Sequence, residues 1–181
     1  TVMEEITREH FRNDLLKKRT LYLEGEIVHR DAREIGESIL WLNAIDDIRE
    51  ITLYINSSGG SVSAGLDIYD IIRHSSAPVT GIVYRFANSM ATVVLQACKI
   101  RKALRHSEIV IHNIKINKEW HEFEENLEEA LADTKRDQES IYEIFARKTG
   151  RSLEEIKRIC REAKTMPADG AKGLGLIDEV I

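Results

Sequence analysis

Short β-prone runs alternate with segments whose apolar residues recur at helical spacing, and this alternation limits the possible folds more than any other feature. Residues 51–55 are strongly β-prone, and Ala64 and Ile68 mark one face of the helix that follows. Residues 78–84 form a near-continuous apolar run, as expected for a strand covered on both faces of its sheet. The order predicts an α/β fold with a largely parallel sheet, in a single domain over residues 1–181.

The same pattern extends along most of the chain. Its other predicted elements are a strand at 20–23, a helix capped by Asp31, an apolar helix at 89–98, a strand at 109–112, a long charged helix at 119–148 and a helix at 152–160. Helices between successive strands fit βαβ units, the usual connection between parallel strands.

Composition argues against several classes of protein. An apolar fraction of 43% with 31% charged residues is that of an ordinary globular protein, and no apolar run is long enough to span a bilayer. The net charge of −5 argues against a nucleic-acid partner. Cys98 and Cys160 lie far apart without a CxxC motif or clustered histidines, so neither a disulfide nor a metal site is expected. We expect a soluble, cytoplasmic protein with no membrane partner.

A glycine pair follows the strand at residues 51–55. Gly59 and Gly60 lie in the segment Asn-Ser-Ser-Gly-Gly-Ser-Val at 56–62, directly before a helix. Glycines there let the backbone turn sharply and leave N–H groups uncovered near a helix N-terminus, which suits an oxyanion or a phosphate. The segment lacks the nucleotide-binding spacings GxGxxG and GxxxxGK[ST], and a simple tight turn is the alternative interpretation.

A second candidate is Ser89, where the apolar strand turns into an apolar helix. A serine at such a turn is held by its backbone, and the next N–H, that of Met90, points into the same space. These are the requirements of an activated nucleophile with an oxyanion donor beside it. The alternative is that Ser89 serves only as the N-cap of its helix.

The third candidate is His112, which ends the β-branched run at 109–112. A histidine there leaves the sheet edge with its ring nitrogens free, which suits a general base. The alternative is a histidine with a purely structural role in the core or at its rim. The remaining histidines lie in polar or charged surroundings and are predicted to be surface residues: His10, His29, His74, His106 and His121.

Taken together, the three segments resemble the proteolytic subunit of Clp-type proteases (ClpP-like), whose pattern contains Y-I-N-S-P-G-G-S-V, then A-S-M, then I-H. The corresponding segments here are 54–62, 88–90 and 111–112. The interval from Gly60 to Ser89 matches the family pattern without a gap, and the similarity extends from about residue 16 to residue 181. The resemblance implies the Clp/crotonase α/β fold, a spiral of βαβ units.

The resemblance also implies a role for each candidate residue. Ser89 would attack the scissile peptide carbonyl, and His112 would take the hydroxyl proton and pass it to the leaving amine. The backbone N–H groups of Gly60 and Met90 would bind the oxyanion. The implied activity is that of a serine endopeptidase.

An assembly follows from the same resemblance. Residues 113–148 correspond to the strand and protruding handle helix through which two rings of the family join face to face. The implied form is a ring-shaped homo-oligomer, commonly two stacked heptamers, with its sites facing an inner chamber. Its substrates would be unfolded polypeptides delivered by an AAA+ Clp ATPase. That partner uses the ATP, so no cofactor is expected in this chain.

The sequence departs from the family pattern at the third catalytic position. The family has an aspartate there, whereas counting back from Gly175 or forward from Gly150 reaches Ala163. In another serine enzyme, replacing the orienting acid lowers turnover about 10⁴-fold. The third member of the triad is therefore unassigned. The candidate substitutes for it are Glu162, Asp169 and Asn113.

A second departure follows His112. The family continues with Gln-Pro and a glycine-rich strand that pairs with the substrate, whereas residues 113–120 here read Asn-Ile-Lys-Ile-Asn-Lys-Glu-Trp. Main-chain pairing with a peptide is open to any strand edge. Residues 1–14 also lack a match to the axial loops through which the family meets its unfoldase.

Three functions remain in competition. The first is a serine peptidase subunit that degrades unfolded polypeptides, which Ser89 and His112 favour. The second is a catalytically impaired relative with a structural or regulatory role in a ring, which Ala163 favours. The third is a crotonase-type acyl-CoA enzyme, which shares the fold but leaves the serine and histidine pair unexplained.

Overall fold

A computed structural model describes residues 2–115 and 127–181 of the chain. The helices are α1 (Val2–Lys17), α2 (His29–Ile45), α3 (Val62–His74), α4 (Met90–Ala97), α5 (Leu127–Thr149), α6 (Leu153–Glu162) and α7 (Ala168–Leu174). The strands are β1 (Thr20–Ile27), β2 (Ile51–Gly60), β3 (Val79–Asn88), β4 (Ile100–Ala103), β5 (Glu108–Val110), β6 (Met166–Pro167) and β7 (Glu179–Val180). Within these ranges no helix combines the length and the hydropathy that a membrane crossing requires.

The strands form a seven-stranded sheet in which β3 has the central place. The main path runs β1–β2–β3–β4–β7, and its pairings are parallel. On one edge, the first part of β3 pairs with β4 and its last residues pair with β5. β5 pairs in turn with β6, and that pairing is antiparallel. The predicted α/β fold with a largely parallel sheet is confirmed.

Helix α4 lies at the centre of the packing. All eight of its residues are buried, as expected for a helix that is apolar on every side. The sheet residues beneath it follow the period of two that strands impose, so that Leu53, Ile55 and Val83 are fully buried. Cys98, just after α4, is buried, and burial raises the pKa of its thiol to about 12.

The ends of three strands differ from the predicted ones, because main-chain pairing rather than residue type decides where a strand ends. The predicted turn after residue 55 is wrong, since β2 continues through the glycine pair to Gly60, where it pairs with Ile27 of β1. β3 extends to Asn88 rather than ending at residue 84. β5 ends at Val110, so His112 lies beyond the strand rather than within it.

The start of α2 also differs from the prediction. Val28, not Asp31, is the N-cap, and Asp31 lies in the first turn. The Asp31 carboxylate accepts a hydrogen bond from the backbone N–H of Val28 at 2.8 Å. A carboxylate in the first turn thus accepts from the backbone N–H of the N-cap residue, which is one of the two hydrogen bonds of a capping box. The same arrangement is complete at α6, where Ser152 is the N-cap and pairs with Glu155.

Several elements were not predicted from the sequence: α1, β4, β6, α7 and β7. The four strands and helices after residue 99 in this set are short, and their places depend on partners distant in the chain. The predicted charged helix at 119–148 is described from Leu127 onward, and its earlier part lies outside the described residues, as does His121. The histidines predicted at the surface that the structure describes are exposed: His10, His29, His74 and His106.

Arg101 joins the C-terminal segment to the sheet. Its side chain is buried, and its guanidinium donates to Asp178 Oδ1 at 2.6 Å and to Asp178 Oδ2 at 3.1 Å. It also donates to Gln96 Oε1 at 2.6 Å and to the Gly175 carbonyl at 2.9 Å. Burial alone would raise the pKa of Asp178, but the hydrogen bonds from Arg101 outweigh it and hold this pKa below its ordinary value.

We expect Asp178→Asn to lower the thermal midpoint at pH 7, because it leaves the buried Arg101 without a counter-charge. The loss should be about 1–2 kcal/mol, or about 5 °C. Because the folded pKa of Asp178 is depressed, its contribution is present above the unfolded pKa of about 3.9 and is lost as the pH falls through the folded pKa. The midpoint difference from the wild type should therefore narrow between pH 7 and pH 3.

Circular dichroism melts at both pH values measure this difference. Asp47→Asn, which changes an exposed carboxylate in the same way, is the matched control and should show little difference at either pH. A midpoint difference for Asp178→Asn that persists unchanged to pH 3 would contradict the assignment.

Candidate active site

The candidate residues from the sequence lie around one pocket. Gly60, Ser89, Met90 and His112 all line a cavity of about 130 Å³. It lies beyond the carboxyl ends of β2, β3 and β5, the usual location of ligand sites in parallel sheets. The apolar part of its wall comes from Val62, Val93, Ile114, Ile141 and Phe145.

The pairing of β3 with β5 brings Ser89 close to the segment that carries His112. Asn88 is opposite Val110 in this parallel ladder. The backbone N–H of Ser89 continues the pairing by donating to the carbonyl of Val110 at 2.9 Å. Residues far apart in the chain therefore reach the same pocket because two strands end side by side.

Ser89 has a strained backbone and an uncommitted hydroxyl. Its φ of 56° and ψ of −126° lie in a region that residues other than glycine rarely adopt, at a cost of about 1–3 kcal/mol. Ser89 is at the N-cap position of α4, but its side chain makes no capping hydrogen bond. A serine that served only as a cap would accept a hydrogen bond from the first turn. The conformation instead matches that of a nucleophile on a strained strand-to-helix turn.

Thr92 connects the three elements that meet at this turn. Its side chain is fully buried, and its hydroxyl lies 2.5 Å from the carbonyl oxygen of Ala87 and 3.0 Å from that of Val110. It therefore ties the end of β3 and the end of β5 to the first turn of α4. Sequence reasoning missed Thr92, and its only signal was that Thr92 is one of two polar residues, with Gln96, in a mostly apolar helix.

Gly59, near the end of β2, packs directly against the turn that carries Ser89. A Cβ on Gly59 would lie 2.6 Å from Ser89 Cβ and 2.7 Å from the carbonyl oxygen of Asn88, and the φ of Gly59 is +89°. Both constraints require glycine. Ser57 holds this end of β2 in place, since its hydroxyl donates to the Gly25 carbonyl at 2.6 Å and accepts from Gly59 N at 3.1 Å.

His112 is half-buried and is tied to the residues that follow it. Its Nδ1 lies 2.6 Å from the main-chain oxygen of Asn113. The side chain of Asn113 accepts a hydrogen bond from the Tyr142 hydroxyl at 2.7 Å, and the N–H of Ile114 donates to Gln138 Oε1 at 2.6 Å. No hydrogen bond joins Ser89 to His112 among the residues described. Such catalytic hydrogen bonds often tighten only when substrate is bound.

The position at which the family has its aspartate falls at the end of α6. Ala163 ends α6 with a φ of 48° and a ψ of 36°, the left-handed conformation. β5 and β6 pair antiparallel through Ile109 and Met166, so the segment that carries His112 leaves the sheet beside the segment that leads back to Ala163. A methyl group there can accept no hydrogen bond.

The neighbouring carboxylates are engaged elsewhere. Glu162 pairs with Arg158 at 2.7 Å and with Lys164 at 3.4 Å, and these contacts lower its pKa. Asp169 is 3.7 Å from Arg105. Neither carboxylate contacts His112 within the part of the chain that the structure describes. Of the three candidate substitutes from the sequence, only Asn113 has a hydrogen bond to His112 among the described residues.

Comparison with known families identifies the family of the chain. The family model described as Clp protease matches residues 4–181, which is nearly the whole chain. The mixed α/β fold with its largely parallel sheet is consistent with the fold of that family. The chain belongs to the Clp protease family, whose members are serine peptidases in general. The resemblance inferred from the three sequence segments is confirmed.

We expect Thr92→Val to destabilise the folded protein by about 1–3 kcal/mol, because the Ala87 carbonyl oxygen loses the buried hydroxyl 2.5 Å away with little change in side-chain volume. The Val110 carbonyl keeps the hydrogen bond from the Ser89 N–H. Chemical denaturation measures the free energy of unfolding. Thr92→Ser keeps the hydroxyl and loses only a methyl group, so it is the matched control and should cost less than Thr92→Val. The reverse order would show that methyl packing, not the hydrogen bonds, holds this turn.

Proposed function

We propose that this chain is the proteolytic subunit of an ATP-dependent Clp protease and cleaves unfolded polypeptides as a serine endopeptidase. The observation that carries the proposal is Ser89 itself. Its hydroxyl is free of any capping bond, its backbone is held in a strained turn, and it shares a pocket with His112. Membership of the Clp protease family supports the same reaction class.

The first half of the reaction forms an acyl-enzyme. Ser89 Oγ attacks the scissile carbonyl while His112 takes the hydroxyl proton, and the carbonyl oxygen becomes an oxyanion. The backbone N–H groups of Gly60 and Met90, which line the same pocket, donate to that oxyanion. The tetrahedral intermediate then collapses, the C–N bond breaks, and the imidazolium of His112 gives its proton to the leaving amine.

The second half of the reaction releases the acyl group. A water molecule loses a proton to His112 and attacks the ester carbonyl, and a second oxyanion forms at the same N–H groups. The bond to Ser89 Oγ breaks and the serine regains its proton from His112. The strained turn helps here because it fixes Ser89 Oγ and the adjacent N–H of Met90 in one geometry through both halves.

The pocket wall suits a peptide with an apolar side chain near the cleaved bond. Val93, Ile141 and Phe145 supply an apolar surface beside Ser89. Residues 113–115, the part of the segment after His112 that the structure describes, form no strand and continue past β5 along the rim of the pocket. An extended peptide could pair with main-chain groups there, which is the usual mode of peptide addition to a sheet edge.

The assembly that we propose follows the family. The chain forms a ring-shaped homo-oligomer, most simply two stacked heptamers, and an AAA+ Clp ATPase feeds unfolded polypeptide to its chamber. The described part of the predicted handle is α5, whose last turns pack against the core through Ile141 and Phe145. ATP is consumed by the partner, so the chain itself acts without a cofactor or a metal.

A second candidate function is a catalytically impaired ring subunit. The observation that favours it is Ala163, because the family's orienting acid is absent and the nearby carboxylates are paired with other residues. Such a subunit would keep the fold and the assembly while contributing little hydrolysis. Labelling of Ser89 separates the two functions.

We expect a fluorophosphonate probe to label the assembled wild-type protein at one residue, Ser89, because only a serine activated by a base reacts with this class of reagent. Intact mass and peptide mapping after digestion measure the labelling. Ser89→Ala should remove it, and Ser107→Ala, which changes a buried serine away from the pocket, should not. Absence of labelling in an assembled ring would overturn the peptidase proposal in favour of the impaired subunit.

Ala163→Asp should raise peptide hydrolysis by about tenfold, since a carboxylate accepts a stronger hydrogen bond from an imidazole than a neutral oxygen does. The left-handed backbone at this position accommodates Asp with little strain. Steady-state cleavage of a fluorogenic peptide gives kcat for each variant.

Ala163→Asn is the matched control, because asparagine also suits the left-handed conformation but carries no charge. It should raise kcat much less than Ala163→Asp. Equal rates for the two variants would show that the cap of α6, rather than the charge beside His112, limits the wild type.

A further inference from the structure

The Nδ1 atom of His112 faces a main-chain oxygen where the family places a carboxylate. The contact to the Asn113 carbonyl is 2.6 Å long. A carbonyl oxygen can only accept, so Nδ1 must carry the hydrogen in this contact. In the neutral ring the free lone pair is then on Nε2, which is the tautomer that a general base in a serine peptidase needs.

We propose that the main-chain carbonyl of Asn113 takes the place of the missing aspartate as the acceptor for His112 Nδ1–H, and that Tyr142 and Gln138 are positioning residues that hold this carbonyl in place. The proposal deepens the proposed function and rests on it for the role of His112 as a base. It explains how a site with Ala163 can still present a correctly oriented imidazole.

Gln138 fixes the direction in which the carbonyl points. The Asn113 C=O and the Ile114 N–H belong to one peptide group, which is planar and places the two bonds on opposite sides. The Ile114 N–H donates to Gln138 Oε1 at 2.6 Å, so the carbonyl is directed away from α5 and towards His112. Donation by the N–H also polarises the peptide group and makes its oxygen a better acceptor.

Tyr142 fixes the same residue through its side chain. The Tyr142 hydroxyl donates to Asn113 Oδ1 at 2.7 Å, and Tyr142 is 7% exposed, so water competes little for this bond. Tyr142 and Gln138 are one turn apart on α5, a spacing that puts them on the same face of the helix. Two side chains of α5 therefore hold the Asn113 side chain and the peptide group whose carbonyl faces His112.

A neutral carbonyl performs only part of an aspartate's work. It selects the Nδ1–H tautomer and fixes the plane of the ring, but it lacks the charge that would stabilise the imidazolium formed during catalysis. The wild type should therefore be active but slower than the Ala163→Asp variant.

The tautomer of His112 tests the proposal directly and without turnover. Nitrogen-15 NMR of the assembled protein, labelled at histidine and measured in the solid state, distinguishes the two neutral tautomers, and His112→Gln identifies the signal. We expect the Nδ1–H form in the wild type and a mixture with the Nε2–H form in Tyr142→Phe. The Nε2–H form as the main species in the wild type would overturn the proposal.

Kinetics provide the second measurement. Tyr142→Phe should lower kcat by about tenfold and leave KM within about twofold, because it affects the orientation of the base rather than peptide binding. Tyr69→Phe is the matched control, since Tyr69 is also 7% exposed but lies on α3. Neither the His112 tautomer signal nor kcat should change in this variant. An unchanged kcat and tautomer in Tyr142→Phe would overturn the role of Tyr142.

A double-mutant cycle separates positioning from general destabilisation. Asn113→Ala keeps the main-chain carbonyl but removes the acceptor for Tyr142, so it should lower kcat as Tyr142→Phe does, and the double variant should be no slower than either. In the Ala163→Asp background, Tyr142→Phe should have little effect, because the new carboxylate then accepts from Nδ1. Additive losses in the cycle would contradict the shared contact.

These outcomes are distinct from failure of the peptidase function. A wild-type protein that is neither labelled by the fluorophosphonate nor active on peptides would overturn the proposed function whatever the tautomer is. A labelled, active protein whose His112 is in the Nε2–H form would overturn only the role of the Asn113 carbonyl. If Tyr142→Phe fails to fold, the wild-type tautomer and Asn113→Ala still decide the outcome.

Discussion

The pairing of β3 with two strands along one edge is the constraint on which the rest of the site depends. β4 occupies the first part of that edge and β5 the last part, so the carboxyl ends of β3 and β5 lie side by side. Ser89 follows one strand and His112 follows the other, and the N–H of Ser89 continues the ladder to Val110. Without this change of partner, the serine and the histidine would not share a pocket.

Contacts around Ser89 keep its backbone in the strained conformation. Thr92 bonds the carbonyls at the ends of both strands, and Gly59 packs against Ser89 at a distance that no other residue allows. The fully buried helix α4 prevents the turn from relaxing, because any shift would move apolar side chains out of the core. A backbone cost of about 1–3 kcal/mol at one residue is thus sustained by the packing around it.

The orientation of His112 depends on the residues that follow it in the chain and on helix α5. At Ala163, where the family has an acid, the chain offers only a methyl group, and the nearby carboxylates pair with surface cations. The peptide group after His112 is instead fixed by α5. In our proposal the base therefore depends on a helix that also lines the pocket through Ile141 and Phe145, which couples substrate contact to the position of the base.

Much of this protein could be predicted from its sequence, because the strongest signals are local. The alternation of β-prone and helical segments determined the α/β class, and three spaced segments gave Gly60, Ser89, Met90 and His112 as candidates. Counting from Gly150 and Gly175 gave Ala163 at the third catalytic position. The short strands β4, β6 and β7 could not be predicted, since their residues carry no periodicity and pair with partners far away in the chain.

The sequence by itself thus determined the family and the fold class, and it supplied Ser89 and His112 as the candidate nucleophile and base. Only the tertiary structure decided that the Ser89 hydroxyl is free of its cap, that Thr92 and Gly59 hold its turn, and that a main-chain oxygen faces His112. The physical reason is that these features depend on backbone direction and on contacts between distant segments. Residue type records neither of them, because any residue at position 113 has a carbonyl group.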